Sequence, residues 1–170
     1  LISFALIFSI FFLALKTSDI FSYRFESALS DIYSYQNNKA SAVGQRITFF
    51  LNSIELVKTS PIVGIGVGDF PTEYQKINNI LSPEVPATVQ PRNMYMLVLA
   101  QLGVLGLLSF LWIFLVQYKI ALACNNKILS NIGVAMPLLF LIIMWSDSYL
   151  LGHFTGNLFI LFSSFIYSNQ

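Results

Sequence analysis

Charged residues are scarce in this sequence of 170 residues, and so are cysteine and histidine. Asp, Glu, Lys and Arg make up 10% of the chain, whereas globular proteins contain about 25%. The net charge of +1 gives no support to a nucleic-acid partner, which needs a concentrated basic face. The single cysteine, Cys124, cannot form an intrachain disulfide, so cysteine usage does not indicate a compartment. These shortages argue against an ordinary soluble domain.

Apolar residues dominate instead, at 56% of the chain with 16 Phe. Four apolar stretches stand out, and none alternates apolar with polar residues as barrel strands do. We therefore expect an all-α, polytopic helical membrane protein, and we interpret the chain as a fragment because Leu1 lies inside an apolar run. The predicted membrane segments are 1–16 (the end of a helix), 93–118, 129–146 with a kink at Pro137, and 156–170.

Lysine placement predicts the orientation of these segments. The connection 119–128 carries Lys119 and Lys127 and no acid, which is typical of the cytoplasmic side. The long loop 17–92 and the connection 147–155 then lie on the outer face. The second of these contains Asp147 and no Lys or Arg, as the rule expects.

The outer loop is predicted to be partly helical. Residues 18–35 form an apolar stripe with Ser18 as the N-cap, and residues 44–61 form a second stripe that ends before Pro61. The second stripe comprises Ile47, Phe50, Leu51 and Ile54. Such stripes indicate core packing or a helix lying on the membrane. Arg46 lies on the flank, where a guanidinium can reach water or a ligand.

Two short motifs follow, each open to two interpretations. Gly64, Gly66 and Gly68 alternate with apolar residues, and no βαβ unit surrounds them, so a dinucleotide site is excluded. They favour a tight turn with close backbone approach, or an anion nest of N–H groups. Arg92 and Asn93 either anchor the next helix at the membrane interface or line a site, and Asn93 is also a natural helix cap.

The order of these motifs resembles the C-terminal half of the O-antigen ligase and polymerase superfamily over roughly residues 17 to 115. The family pattern has S-x-G-x-R, then P-h-h-G-x-G-x-G and a Tyr, then P-H-N-x-Y-L entering a span with Q-L-G-h-h-G. The matching positions are Ser41 or Ala42 to Arg46, Pro61 to Gly68, Tyr74, Pro91 to Tyr95, and Gln101 to Gly106.

The resemblance implies metal-independent, cofactor-free glycosyl transfer at the periplasmic face of the bacterial inner membrane. The implied donor is a glycan on undecaprenyl pyrophosphate; the acceptor is lipid A–core, a second lipid-linked glycan, or a protein hydroxyl. Arg46 is the first candidate for stabilising the leaving pyrophosphate, because arginine stays charged and binds phosphate bidentately. The predicted substrate-binding residues are Arg46, Gly64, Gly66, Gly68, Asp69, Tyr74, Asn93 and Tyr95, and the predicted catalytic residues are Arg46, Arg92 and His153.

One departure from the family pattern bears on the chemistry. Relatives usually carry His at the position of Arg92, and arginine cannot act as a general base because it keeps its proton. Arg92 is then a second phosphate ligand, or His153, Asp69 or Glu73 is the base, or the protein is a non-ligating relative. The rival class is a non-enzymatic transport or assembly component. A transporter should carry ionisable groups within its spans, whereas the residue singled out well inside these spans is the neutral Gln101.

Overall fold

The computed structural model describes residues 2–168, with side chains from residue 9 onward. Leu1, the first residue of the predicted segment 1–16, and residues 169–170, the last two of the predicted segment 156–170, lie outside the described residues. Residues 2–168 contain helices and no strand, which confirms the all-α prediction. The helices are α1 (Ile2–Thr17), α2 (Asp19–Tyr33), α3 (Ala42–Thr59), α4 (Phe70–Leu81), α5 (Met94–Ala123), α6 (Lys127–Ile143) and α7 (His153–Tyr167), with a 3₁₀ turn at Tyr149–Leu151.

The chain divides into two compact units, one up to Ile47 and one from Thr48. In the first unit, Ser18 caps α2 by accepting a hydrogen bond from the Phe21 N–H at 3.3 Å, as predicted. The Phe11 ring of α1 meets Phe21 and Phe25 edge-on, with ring centroids 5.6 and 5.7 Å apart. No residue of α2 is fully buried, so these aromatic contacts hold the α1–α2 pair together without a closed core.

The second unit has a core built where α3, α4 and the start of α5 meet. Its buried members are Phe49, Leu56, Phe70, Tyr74, Val85, Leu97 and Ala100. The stripe predicted for α3 is the wrong face for this core, because Phe50 and Leu51 are exposed. The buried face carries polar residues as well as apolar ones. Asn52 donates to the Asn78 side chain at 3.1 Å, and Asn78 donates to the Val85 carbonyl at 2.8 Å.

Helix α5 is the feature that most resembles a membrane span. Within the described residues it is the one helix both long and apolar enough to cross a bilayer, and α6 is apolar but shorter. A helix of about 20 residues spans the hydrocarbon core, and α5 has 30. Its side chains Leu105, Leu108, Trp112 and Ile113 are exposed, unlike those of a helix in a soluble core. The polytopic arrangement is therefore a proposal.

The boundaries of the C-terminal helices differ from the predicted segments. Helix α5 runs on to Ala123 and α6 begins at Lys127, so the connection is only 124–126 and not 119–128. Asn126 caps α6 by accepting from the Ile128 N–H at 3.0 Å. Helix α6 continues through Pro137, where a kink was expected. A residue with non-helical dihedral angles lies in α5 at Gly103, which has φ 66° and ψ −168°.

Candidate functional site

The start of α5 is fastened to the connection that follows α6. Asn93 caps α5 by accepting a hydrogen bond from the Met96 N–H at 3.0 Å, and its side-chain amide donates to the Trp145 carbonyl at 3.1 Å. The Met94 N–H donates to the Met144 carbonyl at 3.0 Å. Because both partners of Asn93 are protein groups, its position favours the capping role over direct substrate contact.

Arg92 lies at the centre of this junction in an unusual backbone conformation. Its φ is 55°, and no other non-glycine residue between 2 and 168 has a positive φ. Its Nη1 lies 3.3 Å from the Asp147 Oδ2, with the two side chains 47% and 28% exposed. The other Asp147 oxygen accepts from the Ser148 N–H at 2.7 Å. The sequence suggested Arg92 as a phosphate ligand, whereas in the structure its guanidinium is engaged by a carboxylate.

A cavity of about 300 Å³ lies beside this ion pair. Its lining residues are Val89, Gln90, Asp147, Ser148, Tyr149, Leu151, Gly152 and Thr155. Ser148 is 4% exposed. The Gln90 Oε1 and the Ser148 Oγ are buried and have no hydrogen-bond partner among the described residues.

Sequence reasoning missed this group. The sequence pattern uses Asp147 only to orient the connection 147–155, and it singles out neither Gln90 nor Ser148. The available signal was that Arg92 and Asp147 carry opposite charges in two segments predicted to share the outer face.

Tyr95 belongs to the same junction but faces protein. Its hydroxyl donates to the Leu141 carbonyl of α6. Its ring lies 5.8 Å from Trp145 and 6.4 Å from Phe110, measured between ring centroids. These contacts place Tyr95 in α5–α6 packing, and no glycan contact follows from them.

The glycine-rich loop joins α5 at the Gly103 break. The Ile65 and Gly66 N–H groups donate to the carbonyls of Ala100 and Gln101, both at 3.0 Å. In return, the Val104 and Leu105 N–H groups donate to the carbonyls of Pro61 and Ile62, at 2.9 and 3.3 Å. The loop thus supplies the partners that the interrupted helix loses.

The contact between the glycine-rich loop and α5 supports the close-approach interpretation of the glycines. A Cβ on Gly64 would lie 2.3 Å from the Gln101 backbone, and one on Gly103 would lie 2.1 Å from the Ile62 carbonyl oxygen. The Gly66 N–H, and the Gly64 N–H bonded to the Ser60 carbonyl at 3.0 Å, are not available to an anion here. Gly68 lies in open space with φ 93°. Gln101 follows Asn93 by about 12 Å along α5, at 1.5 Å per residue, so this loop is separate from the Arg92 junction.

The acidic and aromatic candidates near this loop occupy different environments. Asp69 begins α4 without a side-chain cap bond and lies against Gly66, whose Cβ would be 2.7 Å from the Asp69 Oδ2. Glu73 forms a 2.6 Å salt bridge with Lys76 on the exposed face of α4. Tyr74 is fully buried and stacks on Phe70 at 5.3 Å. Its burial indicates packing and not substrate contact.

Arg46 lies in the first unit, near the start of α3. The Ser41 Oγ accepts from the Gly44 N–H at 3.1 Å and so closes the first turn. A Cβ on Gly44 would lie 2.8 Å from the carbonyl oxygens of Asn38 and Lys39, so glycine lets the preceding chain pack on the helix. Arg46 is exposed, and its guanidinium has no ion pair with any residue the structure describes. It is therefore an exposed cation carried by a helix.

His153 is exposed and begins α7, and it is not among the residues that line the cavity. Between residues 2 and 168, no three His, Cys, Asp or Glu side chains group as metal ligands.

Comparison with known proteins gives one family. A family model described as O-antigen ligase matches residues 1–111. The match includes the Ser41–Arg46 turn, the glycine loop, Arg92 and the Gly103 break. A search of curated proteins found no match.

Proposed function

Because this chain belongs to the O-antigen ligase family, we propose that it transfers a glycan from undecaprenyl pyrophosphate to an acceptor hydroxyl. Membership in the family implies glycosyl transfer of the O-antigen ligase or polymerase type. The observation that carries the proposal is the match over residues 1–111, which includes both Arg46 and Arg92.

In the proposed reaction, the acceptor oxygen attacks C1 of the donor sugar and loses its proton to a base. The bond between C1 and the phosphate oxygen breaks, and undecaprenyl pyrophosphate leaves with the electron pair. Negative charge grows on that oxygen as the bond breaks, so a fixed cation lowers the barrier. Arg46 suits this role because it is exposed, unpaired among the described residues and carried by a helix. The proposal needs neither a metal nor another cofactor.

The base is a separate question, because Arg92 keeps its proton. His153, Asp69 and Glu73 are the groups suggested by the sequence. The structure adds Asp147, which lines the cavity and is held in place by Arg92. In this proposal Arg92 is a positioning residue for Asp147.

We place this chemistry at the periplasmic face of a multi-pass inner-membrane protein, with membrane lipid around α5 and no nucleic-acid partner. Lipid A–core, a second lipid-linked glycan and a protein hydroxyl are the acceptors compatible with the family. The second candidate function, a non-enzymatic transport or assembly component, has only the exposed apolar surface of α5 in its favour.

Substitution of Arg46 in the full-length protein tests the proposal. Arg46→Lys keeps the charge but removes the bidentate fork. A charge-assisted hydrogen bond contributes about 1.5–3 kcal/mol, so transfer should fall by roughly tenfold or more. Arg24→Lys, at an exposed arginine of α2, is the matched control and should transfer normally. Glycan transfer in cells is measured at equal expression. Full activity of Arg46→Lys would refute the role given to Arg46.

A further inference from the structure

The cavity beside Arg92 and Asp147 is also lined by Gln90 and Ser148, two polar residues that take no part in the Arg92–Asp147 ion pair. We infer that it binds a saccharide, held by sugar hydroxyl groups that donate hydrogen bonds to Gln90, Asp147 and Ser148. The identification of that saccharide as donor or acceptor glycan rests on the proposed function; the binding itself does not.

The unpartnered polar atoms are the first argument. A buried polar atom without a partner costs about 1–3 kcal/mol, and native structures contain few of them. Two such atoms, the Gln90 Oε1 and the Ser148 Oγ, belong to residues that line one small cavity. Both atoms are closed to solvent as they stand, so rotation of the Gln90 and Ser148 side chains toward the cavity would let a ligand satisfy both.

The chemistry of the wall selects hydroxyl groups over phosphate. The Gln90 Oε1 and the Asp147 carboxylate accept hydrogen bonds and donate none. Backbone N–H groups nearby that could hold an anion are already used: those of Met94, Met96 and Ser148 donate to protein oxygens. Asp147 also offsets the charge of Arg92. A phosphate would meet acceptors and a carboxylate, whereas a neutral polyol supplies the missing donors.

Size and apolar surface fit the same ligand class. About 300 Å³ is at the lower end of the range of about 300–1,000 Å³ for ligand sites, which suits a sugar ring or two and not a whole glycan. The Tyr149 ring, Val89 and Leu151 give the wall apolar surface against which the C–H faces of a sugar can pack. Ligand sites commonly combine such surface with a few convergent polar groups.

Binding is tested on the full-length protein in nanodiscs by saturation-transfer NMR with methyl glucoside and N-acetylglucosamine as probes. Ser148→Ala removes one hydrogen bond of about 0.5–1.5 kcal/mol, so the Kd of at least one sugar should rise by roughly two- to tenfold. Ser146→Ala, at an exposed serine of the same connection, is the matched control and should bind as wild type. Inorganic pyrophosphate should not displace the sugar. Displacement by pyrophosphate, no binding of either sugar, or equal binding by Ser148→Ala would overturn the inference.

The variant also carries its own folding control. Ser148→Ala removes a buried hydroxyl that has no described partner, so the melting temperature should not fall. If Ser148→Ala does not fold, Gln90→Leu tests the second unpartnered atom and should weaken sugar binding in the same way.

Kinetics separate this inference from the proposed function. In a transfer assay, Ser148→Ala should raise one KM with little effect on kcat; a rise in the acceptor KM assigns the cavity to the acceptor, and a rise in the donor KM assigns it to the donor glycan. If neither KM changes while the wild type transfers glycan, the inference fails and the function stands. If the wild type binds sugar but transfers nothing, the proposed function fails and the inference stands.

Discussion

Arg92 combines a strained backbone with an ion pair that is half open to solvent. A left-handed backbone costs an L-residue about 1–2 kcal/mol, and an exposed ion pair returns at most about 1 kcal/mol. The ion pair with Asp147 therefore offsets at most the low end of that strain. Residues held in such conformations cluster at functional sites, which is consistent with a role for the Arg92 junction in function.

Two substitutions separate the backbone of Arg92 from its side chain. Arg92→Gly and Arg92→Ala both lose the guanidinium, but glycine adopts φ 55° freely. Arg92→Gly should be more stable than Arg92→Ala by about 1 kcal/mol, measured by thermal unfolding in detergent. Glycan transfer should fall in both variants, since both lose the contact to Asp147. Wild-type transfer by Arg92→Gly would make Arg92 an interfacial anchor only.

The residues of this junction show how far sequence reasoning extends. Arg92, Asn93 and Tyr95 were singled out because motif order and the edge of an apolar run are visible in the sequence. Their partners were not visible, because Asp147, Trp145 and Leu141 follow some fifty positions later and their pairing depends on how α5 packs on α6.

At the scale of elements, the interrupted α5 and the glycine loop act as one unit. The loop replaces the hydrogen bonds that α5 loses at Gly103, and this requires glycine on both sides of the contact. Irregular backbone at membrane depth is tolerated only where protein groups or a water-filled cavity satisfy it. The contact with the loop gives the N–H groups of Val104 and Leu105 protein partners, which a broken helix would need inside a bilayer.

Alanine substitutions test the contact between the glycine-rich loop and α5. Gly103→Ala and Gly64→Ala place a Cβ 2.1 and 2.3 Å from backbone atoms. Backbone strain of about 1–3 kcal/mol and overpacking of about 1–3 kcal/mol should together lower the melting temperature by several degrees. Gly68→Ala is the control, since it shares the positive φ but meets no atom within 4 Å, and it should lose only the strain component. Equal melting temperatures for all three variants would mean that the contact contributes nothing.

Helices α3 and α4 show why element prediction failed in part. The spacing of apolar residues in α3 predicts a buried face with Phe50 and Leu51, but both are exposed. The face that is buried includes the polar residues Asn52 and Ser53, so hydrophobicity does not reveal it. Helix α4 was not predicted, although Pro71 and Glu73 in its first turn are ordinary start signals. The glycines that precede α4 favour a loop, and they obscure these signals. Periodicity identifies a helix well, but the face it buries depends on its tertiary neighbours.

At the scale of the whole molecule, the placement of Arg46 and Arg92 on the outer face is a prediction from Lys119 and Lys127. Cysteine labelling tests it: Cys124 is the only thiol among these 170 residues, and it and any further cysteine of the full-length protein are replaced by serine before single labels are introduced. A cysteine at the exposed Asn38 should react with an impermeant maleimide on intact spheroplasts, and one at the exposed Asn125 should react only after lysis. The reverse pattern would invert the topology and remove the periplasmic site.

The central claim is that the protein moves a glycan off a polyprenyl pyrophosphate, and the purified full-length protein tests it most directly. Nanodisc-embedded protein is mixed with a radiolabelled undecaprenyl-pyrophosphate glycan and a lipid A–core, lipid-linked glycan or protein acceptor. The account predicts that the label moves to one acceptor while an equal amount of undecaprenyl pyrophosphate is released, and that Arg46→Lys loses most of both signals. A donor that stays intact with every acceptor, in a preparation whose full-length protein is folded, would contradict it.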